Sequence, residues 1–216
     1  MIRLDYEQGS VEWRMARVGK LTASHADEII TATGKQSSQW VKLMYRVVAE
    51  QLLNVPLDDG AGSEFMERGN ILEKKAVSYY ELQKDGATEP GGFVLRDDER
   101  TGASPDRLVG TDGLLEIKCP AAHTHIGYLL DADGIGYKAQ VQAQLWVCER
   151  EWSDTLSFNP EMPPALVRQY RDEKFIASLA DYVKQFHDAV DEAKEKLQKG
   201  YNLFPGFERP MMRVVA

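Results

Sequence analysis

The sequence predicts an α/β (α+β) fold in which a central mixed β-sheet is flanked by helices. Three observations carry this. Residues 91–118 hold three short apolar runs parted by turn residues, the mark of strands. Apolar stripes at helical spacing lie before them, over about 38–53 and 64–82. After them come two more strand-like runs and a long amphipathic segment from Asp172 to about Lys199. Elements in that order bury one another best as layers of sheet and helix.

Taken in order, residues 1–21 show little periodicity beyond Trp13 and Val18. Residues 22–31 read as a short helix, with Thr22 or Ser24 as cap and acidic Asp27 and Glu28 near its start. Residues 32–38 (ATGKQSS) are a polar loop, and Ser37 or Ser38 can cap a second helix to about Leu53. Its apolar face is Trp40, Leu43, Met44, Val47 and Val48. A loop over 54–63 leads to a helix over 64–82 that Gly69 can interrupt. On it, Ala76, Val77 and Tyr80 share the face of Glu73. A carboxylate there either reaches solvent from the edge of the face or needs a partner or a metal.

Residues 91–96 (GGFVLR), 102–109 and 113–118 read as strands, 123–130 as a helix and 131–134 as a turn. Over 137–148, Lys138, Gln140, Gln142 and Gln144 alternate with Ala139, Val141, Ala143 and Leu145, which is a strand period. Tyr137, Val141, Leu145 and Cys148 also form a helical stripe, so both readings stand. Residues 152–158 and 165–171 read as strands around the proline-rich turn 159–164. From Asp172, the stripe Phe175, Leu179, Val183, Phe186, Val190, Ala193 and Leu197 marks a core-packing helix that Gly200 ends, and 201–216 form a tail. No internal repeat or linker is visible, so residues 1–216 read as one domain.

With 216 residues, 43% of them hydrophobic, the chain can bury a sizeable core. Its 28% charged content and four Trp argue against disorder. No apolar run reaches the ~18 residues of a membrane span, and residues 1–13 lack a signal-peptide core. Cys119 and Cys148 form no disulfide framework and suit the reducing cytoplasm. The net charge of −8, from 26 Lys and Arg against 34 Asp and Glu, weighs against simple electrostatic binding of nucleic acid. An acidic protein can still bind nucleic acid if its basic groups line one groove, so the motifs must decide.

The run 113–118 (GLLEIK) follows the turn signal Thr111-Asp112-Gly113. Residues two apart share one face of a strand, so Glu116 and Lys118 point one way while Leu115 and Ile117 point the other. Asp106 opens the run 106–110, which can pair with 113–118 as a hairpin and bring Asp106 beside Glu116. Two carboxylates and a lysine at the end of buried strands suit a Mg²⁺ site for phosphodiester hydrolysis. The same spacing also fits an ordinary hairpin with solvent-facing charges.

Five blocks bear on that choice: 13–24 (WRMARVGKLTAS), 69–76 (GNILEKKA), 103–108 (ASPDRL), 115–120 (LEIKCP) and 139–147 (AQVQAQLWV). In this order they resemble the phage lambda exonuclease (YqaJ-type viral recombinase) family of the PD-(D/E)xK nuclease superfamily, and together they span about two-thirds of the chain. The resemblance implies a restriction-endonuclease-like fold and favours helix over 137–148. It implies Asp106, Glu116 and the backbone carbonyl of Ile117 as ligands of Mg²⁺, for which Mn²⁺ can substitute, with two ions in all. Lys118 would orient the attacking water or stabilise charge, and Glu73 would help hold metal or its water. Gln142 matches a glutamine near the centre, although a buried amide tying two elements together fits it equally. Arg17 and Ser24, with Ser104 joining them, match positions that bind a terminal 5′-phosphate. A hydroxyl with free N–H groups at a helix start, beside a guanidinium, suits such an anion. Where the family has an arginine-bearing sequence after the lysine, this chain has His123. Whether His123 or Arg107 takes that basic place stays open. His25 and His187 fall on helices as bystanders, and His125 is uncommitted.

The activity so implied is a Mg²⁺-dependent 5′→3′ exonuclease. It would digest one strand of duplex DNA from a 5′-phosphorylated end and leave a 3′ single-stranded tail for phage-type recombination. The resemblance also implies a homotrimeric ring around double-stranded DNA ends and a single-strand annealing protein as partner. It places the enzyme in the cytoplasm of a bacterial host, phage or prophage encoded, without a membrane. A restriction- or repair-type PD-(D/E)xK endonuclease is the alternative, and closed circular DNA, which only an endonuclease cuts, separates the two. A degenerate nuclease fold used only for DNA binding is a third. The presence of Asp106, Glu116 and Lys118 speaks against it, and loss of activity with EDTA would exclude it.

Overall fold

The structure of the protein, a computed structural model, describes residues 1–57, 63–131, 135 and 137–204, with side chains from Ile71 onward in the helix that begins at Ser63. Two mixed sheets are flanked by helices. The first runs β1 (Ile2–Leu4), β4 (Phe93–Leu95), β5 (Thr101–Ala103), β2 (Leu21–Thr22), with only the β2–β5 pair parallel. The second runs β3 (Glu89–Pro90), β6 (Arg107–Val109), β7 (Gly113–Lys118), β8 (Trp152–Ser157), β9 (Ala165–Tyr170), with only β7–β8 parallel. A parallel pair needs a long crossover. The segment between β7 and β8 supplies it with α4 (Ala122–Leu130) and α5 (Lys138–Cys148). The other helices are α1 (Val11–Arg17), α2 (Trp40–Leu53), α3 (Ser63–Lys84) and α6 (Glu173–Tyr201). Among the described residues no helix is long and apolar enough to cross a membrane.

The period-2 pattern of β7 gives its two faces different neighbours. Leu114 joins the main core with residues of α2, α5 and α6. Leu115 and Ile117 pack with Leu156 against Ala76 and Tyr80 of α3. Leu114, Leu115 and Leu156 are at most 1% exposed, and each contributes about 1.5–3 kcal/mol through burial. β7 therefore lies between α5 and α3, and whatever sits at its end is held from both sides.

Several elements differ from the sequence expectation. The run 102–109 is not one strand. It leaves the first sheet at Ala103 and enters the second at Arg107, so Ser104-Pro105-Asp106 bridges the two sheets. Pro105 has no N–H to continue a ladder. The bridge presses on Gly91, where a Cβ would stand 1.9 Å from the Pro105 carbonyl oxygen, so only glycine fits there. Residues 1–21 hold β1, α1 and the start of β2, which periodicity missed because α1 buries no side chain and the strands are two or three residues long. Residues 22–31 form a 3-10 helix only over Ala23–Glu28, with Asp27 and Glu28 at its end. Thr22 occupies the cap position without capping, because its hydroxyl is 2.9 Å from that of Ser24. Gln39 precedes α2 without a side-chain cap, and Ser37 accepts from its N–H instead.

The backbone of α3 passes through Gly69 without a break. Residues 137–148 resolve as the helix α5. Eight of its residues are buried, on all sides, which is why neither period stood out. Asp172 caps α6 by accepting from the N–H of Phe175, but the helix runs past Gly200 and ends on Asn202 in left-handed geometry. The turn expected at 131–134 and most of the tail lie outside the described residues.

Candidate active site

The β6–β7 ladder pairs Arg107 with Leu115, which brings Asp106 and Glu116 together at the end of the hairpin. Asp106 Oδ2 accepts from the N–H of Ile117 at 2.6 Å. Glu116 is 4% exposed and both of its oxygens are engaged. Oε1 accepts from Lys118 Nζ at 2.7 Å and from Gln140 Nε2 at 2.6 Å, and Oε2 from Gln144 Nε2 at 2.7 Å. Lys118 Nζ also stands 3.4 Å from Gln140 Oε1 and 4.5 Å from the centre of the Tyr137 ring. The hairpin expected from spacing is thus formed, and Asp106, Glu116, Lys118 and the Ile117 backbone meet.

The electrostatics are those of a cluster short of positive charge. Burial, then the charges of Glu116 and Glu73, push Asp106 well above the usual carboxylate range, although the Ile117 N–H and Lys118 pull the other way. Burial and Glu116 also raise Glu73, opposed by Arg107 and Lys74. Burial would lower Lys118, but Glu116 and Asp106 outweigh it, so the ammonium is held above its ordinary value and stays charged. Among the described residues, no three acidic, His or Cys side chains stand close enough to enclose an ion by themselves. That leaves Asp106 and Glu116 as the side-chain pair, with Glu73 coupled through its charge. Oxygen donors with unbalanced negative charge fit a hard divalent cation.

Gln142 is not part of this cluster. Its Nε2 donates to the Tyr170 carbonyl at 2.8 Å and its Oε1 accepts from the Asp172 N–H at 2.8 Å, tying α5 to the β9–α6 junction. The glutamines at Glu116 are Gln140 and Gln144, neither singled out from the sequence. The reason is geometric. As a strand, 140, 142 and 144 share a face. As a helix, 140 and 144 share one and 142 turns away. The residue signal was present, but it needed the right period.

A second cluster lies across the Ser104-Pro105-Asp106 bridge. Arg17 Nη1 donates to Ser104 Oγ at 3.1 Å, and Nη2 to Ser24 Oγ at 3.3 Å and Thr22 Oγ1 at 3.5 Å. Trp13 Nε1 donates to Ser104 Oγ at 3.0 Å, and its ring lies 4.2 Å from the Arg17 guanidinium carbon. All three residues matched to a phosphate pocket therefore meet, joined by Trp13 and Thr22, which sequence reasoning passed over. A cavity of about 30 Å³ adjoins Arg17, and among the described residues Arg14, Lys20, His25 and Arg46 line it with Glu50 as the one carboxylate. In an acidic protein this is a local concentration of positive charge. Ser104 and Asp106 are two residues apart, roughly 7 Å of extended chain.

Most of the remaining candidates are tied into the fold. Arg107 donates from Nε to Thr88 Oγ1 at 2.8 Å and from Nη2 to the Thr88 carbonyl at 2.6 Å. It still reaches Glu73 through its charge, whereas His123 is exposed on α4. His125, fully buried, bridges Ser157 Oγ and the Pro163 carbonyl. His25 bonds Glu28, and His187 bonds Thr101.

Known proteins share this fold. LHK-Exo, an alkaline exonuclease from Laribacter hongkongensis, is 27% identical with a TM-score of 0.71, covering 88% of this chain and 99% of that one. A structure of LHK-Exo in complex with dAMP gives 29% identity and a TM-score of 0.78, over 88% of this chain and 97% of that one. A phage-related exonuclease from Haemophilus somnus 129PT shares the fold at 16% identity and a TM-score of 0.66, over 82% and 96% of the two chains. No curated protein matches the chain. The model of the YqaJ-like viral recombinase domain matches residues 12–151, a span holding every residue of both clusters. The chain belongs to the YqaJ-like viral recombinase domain family.

Proposed function

We propose that the protein is a Mg²⁺-dependent 5′→3′ exonuclease that digests one strand of duplex DNA from a 5′-phosphorylated end and leaves a 3′ single-stranded tail. The observation that carries this is the coupling of the two clusters. A cation-seeking carboxylate pair with a lysine stands two residues along the chain from an arginine–hydroxyl pocket. Asp106, Glu116, the Ile117 carbonyl and, through water, Glu73 would hold the ions, two in all, with Mn²⁺ able to substitute for Mg²⁺. When bound, these ions supply positive charge for the phosphate and acidify a water. Lys118 orients that water or steadies the charge that develops on the phosphate. Gln140 and Gln144 fix the rotamer of Glu116.

Arg17, Ser24 and Ser104 engage the terminal phosphate, which carries more charge and more free oxygens than an internal diester. The Ser104–Asp106 spacing then sets which phosphodiester meets Lys118, so each turnover releases one nucleotide. Family membership supports recombination as the setting. With it come a homotrimeric ring, a single-strand annealing protein as partner and a phage or prophage origin in the bacterial cytoplasm.

The test is digestion of end-labelled linear duplex with Mg²⁺, beside covalently closed circular DNA and an EDTA control. Release of mononucleotides from the 5′ end with the circle intact is the expected result. Cutting of the circle would make the protein an endonuclease, and activity in EDTA would remove the metal.

A further inference from the structure

Tyr137 is not accounted for by the chemistry above. It precedes α5 with φ 26° and ψ 37°, a left-handed conformation in a residue that carries a Cβ. Such conformations persist where the surroundings impose them and concentrate at functional sites. Its ring lies beside Lys118, with Nζ 4.5 Å from the ring centre. Its hydroxyl is 3.1 Å from that of Tyr128 on α4. Yet Tyr137 is 42% exposed. Core packing would have covered the ring, and a cap for the lysine alone gives no reason for a second tyrosine to tether the hydroxyl. The result is an aromatic surface, fixed at both ends, open to solvent and adjoining the ammonium assigned to the scissile phosphate.

We propose that Tyr137, steadied by Tyr128, is the seat on which the nucleobase next to the scissile phosphate stacks. This rests on the nuclease function proposed above. A phosphate held at Lys118 carries its base within one nucleotide's reach of the ring. Stacking suits the substrate class, because every base presents a π-face, and an aromatic surface therefore grips DNA without reading its sequence. The tether to Tyr128 matters for the same reason. A ring already ordered loses less freedom when the base arrives.

The test measures single-turnover cleavage of two 5′-phosphorylated duplexes, one with an ordinary terminal nucleotide and one with an abasic residue there. Base–aromatic stacking predicts that the wild type favours the ordinary end by roughly five- to hundredfold. That ratio should fall toward one in Tyr137→Ala and in Tyr137→Leu, which keeps apolar bulk without a π-face. It should fall only partway, and by a similar amount, in Tyr137→Phe and Tyr128→Phe, each of which keeps the Tyr137 ring but removes the hydroxyl bond that steadies it. An unchanged ratio in both Tyr137→Ala and Tyr137→Leu, whatever their absolute rates, would overturn the stacking role and leave the nuclease function standing. A wild type that cleaves neither duplex would overturn both.

Discussion

Two buried carboxylate groups sit on neighbouring strands, and they are built in opposite ways. Asp154 on β8 lies across from Leu115 of β7 and is 1% exposed. Arg168 grips it bidentately at 2.7 and 2.8 Å, and the Tyr80 hydroxyl donates to it at 2.7 Å. The guanidinium itself rests 3.6 Å from the centre of the Trp152 ring. Every hydrogen-bonding need is met and the charge is balanced. One residue along β7, Glu116 faces the other way and joins Asp106 beside one lysine, with Glu73 adding its charge to both acids. Burial is shared by both groups, so burial does not mark the candidate site. What differs is the charge balance: a matched carboxylate holds the fold together, and an unmatched cluster calls for something from outside.

The sharpest way to break this comparison is to neutralise one carboxylate in each group. Asp106→Asn or Glu116→Ala should lower cleavage at least about a thousandfold, read as nucleotide release from labelled duplex. Lys118→Ala should do likewise while metal binding largely persists. Asp106→Asn should also raise the melting temperature at neutral pH in EDTA. The folded-state pKa of Asp106 lies above its unfolded value, so the folded form loses stability as pH rises through that range, and removing the charge recovers it. A mutant that is both inactive and less stable would place Asp106 with the structural carboxylates.

Asp154→Ala should show the reverse. It strands Arg168 and the Tyr80 hydroxyl, and stability should drop by about 3 kcal/mol, at the lower end for a broken buried pair because Arg168 is partly exposed. A shift in urea midpoint checks this, with cleavage per folded molecule retained. Next in size is the arginine pocket. Arg17→Ala should remove a roughly tenfold preference for 5′-phosphate over 5′-hydroxyl ends without changing Mn²⁺ affinity. An intact preference would disconnect the pocket from the substrate end.

The two faces of α5 give a finer version of the same test. Gln144→Leu should weaken Mn²⁺ binding by roughly tenfold through the loss of its bond to Glu116 Oε2. Gln142→Leu should instead cost about 1–2 kcal/mol of stability and leave the ion alone. Confined to low pH is an effect of acid. Burial first, and then Arg100, hold the His187 imidazole down to about 4. The unfolded chain therefore takes up a proton near pH 6.5 that the folded one refuses, and stability falls as pH drops from about 6.5 toward 4. His187→Gln should flatten that fall by about 2 kcal/mol at pH 5, read from urea curves at pH 5 and pH 8.

What the sequence determined by itself was local. Asp106, Glu116 and Lys118 were legible because a tight hairpin and a period of two fix their relation within thirteen residues of chain. The stripes of α2 and α6 were legible because one face of each meets the core. Tertiary structure alone decided the rest. Gln140 and Gln144 turned toward Glu116 only once α5 was a helix, and burial on all sides had left a strand period and a helical stripe side by side. Trp13, Arg17 and Ser104 meet across up to 91 residues, at the point where Pro105 carries the chain from one sheet to the other. No local period encodes such a meeting, because its geometry belongs to the packing of two sheets and to neither segment alone.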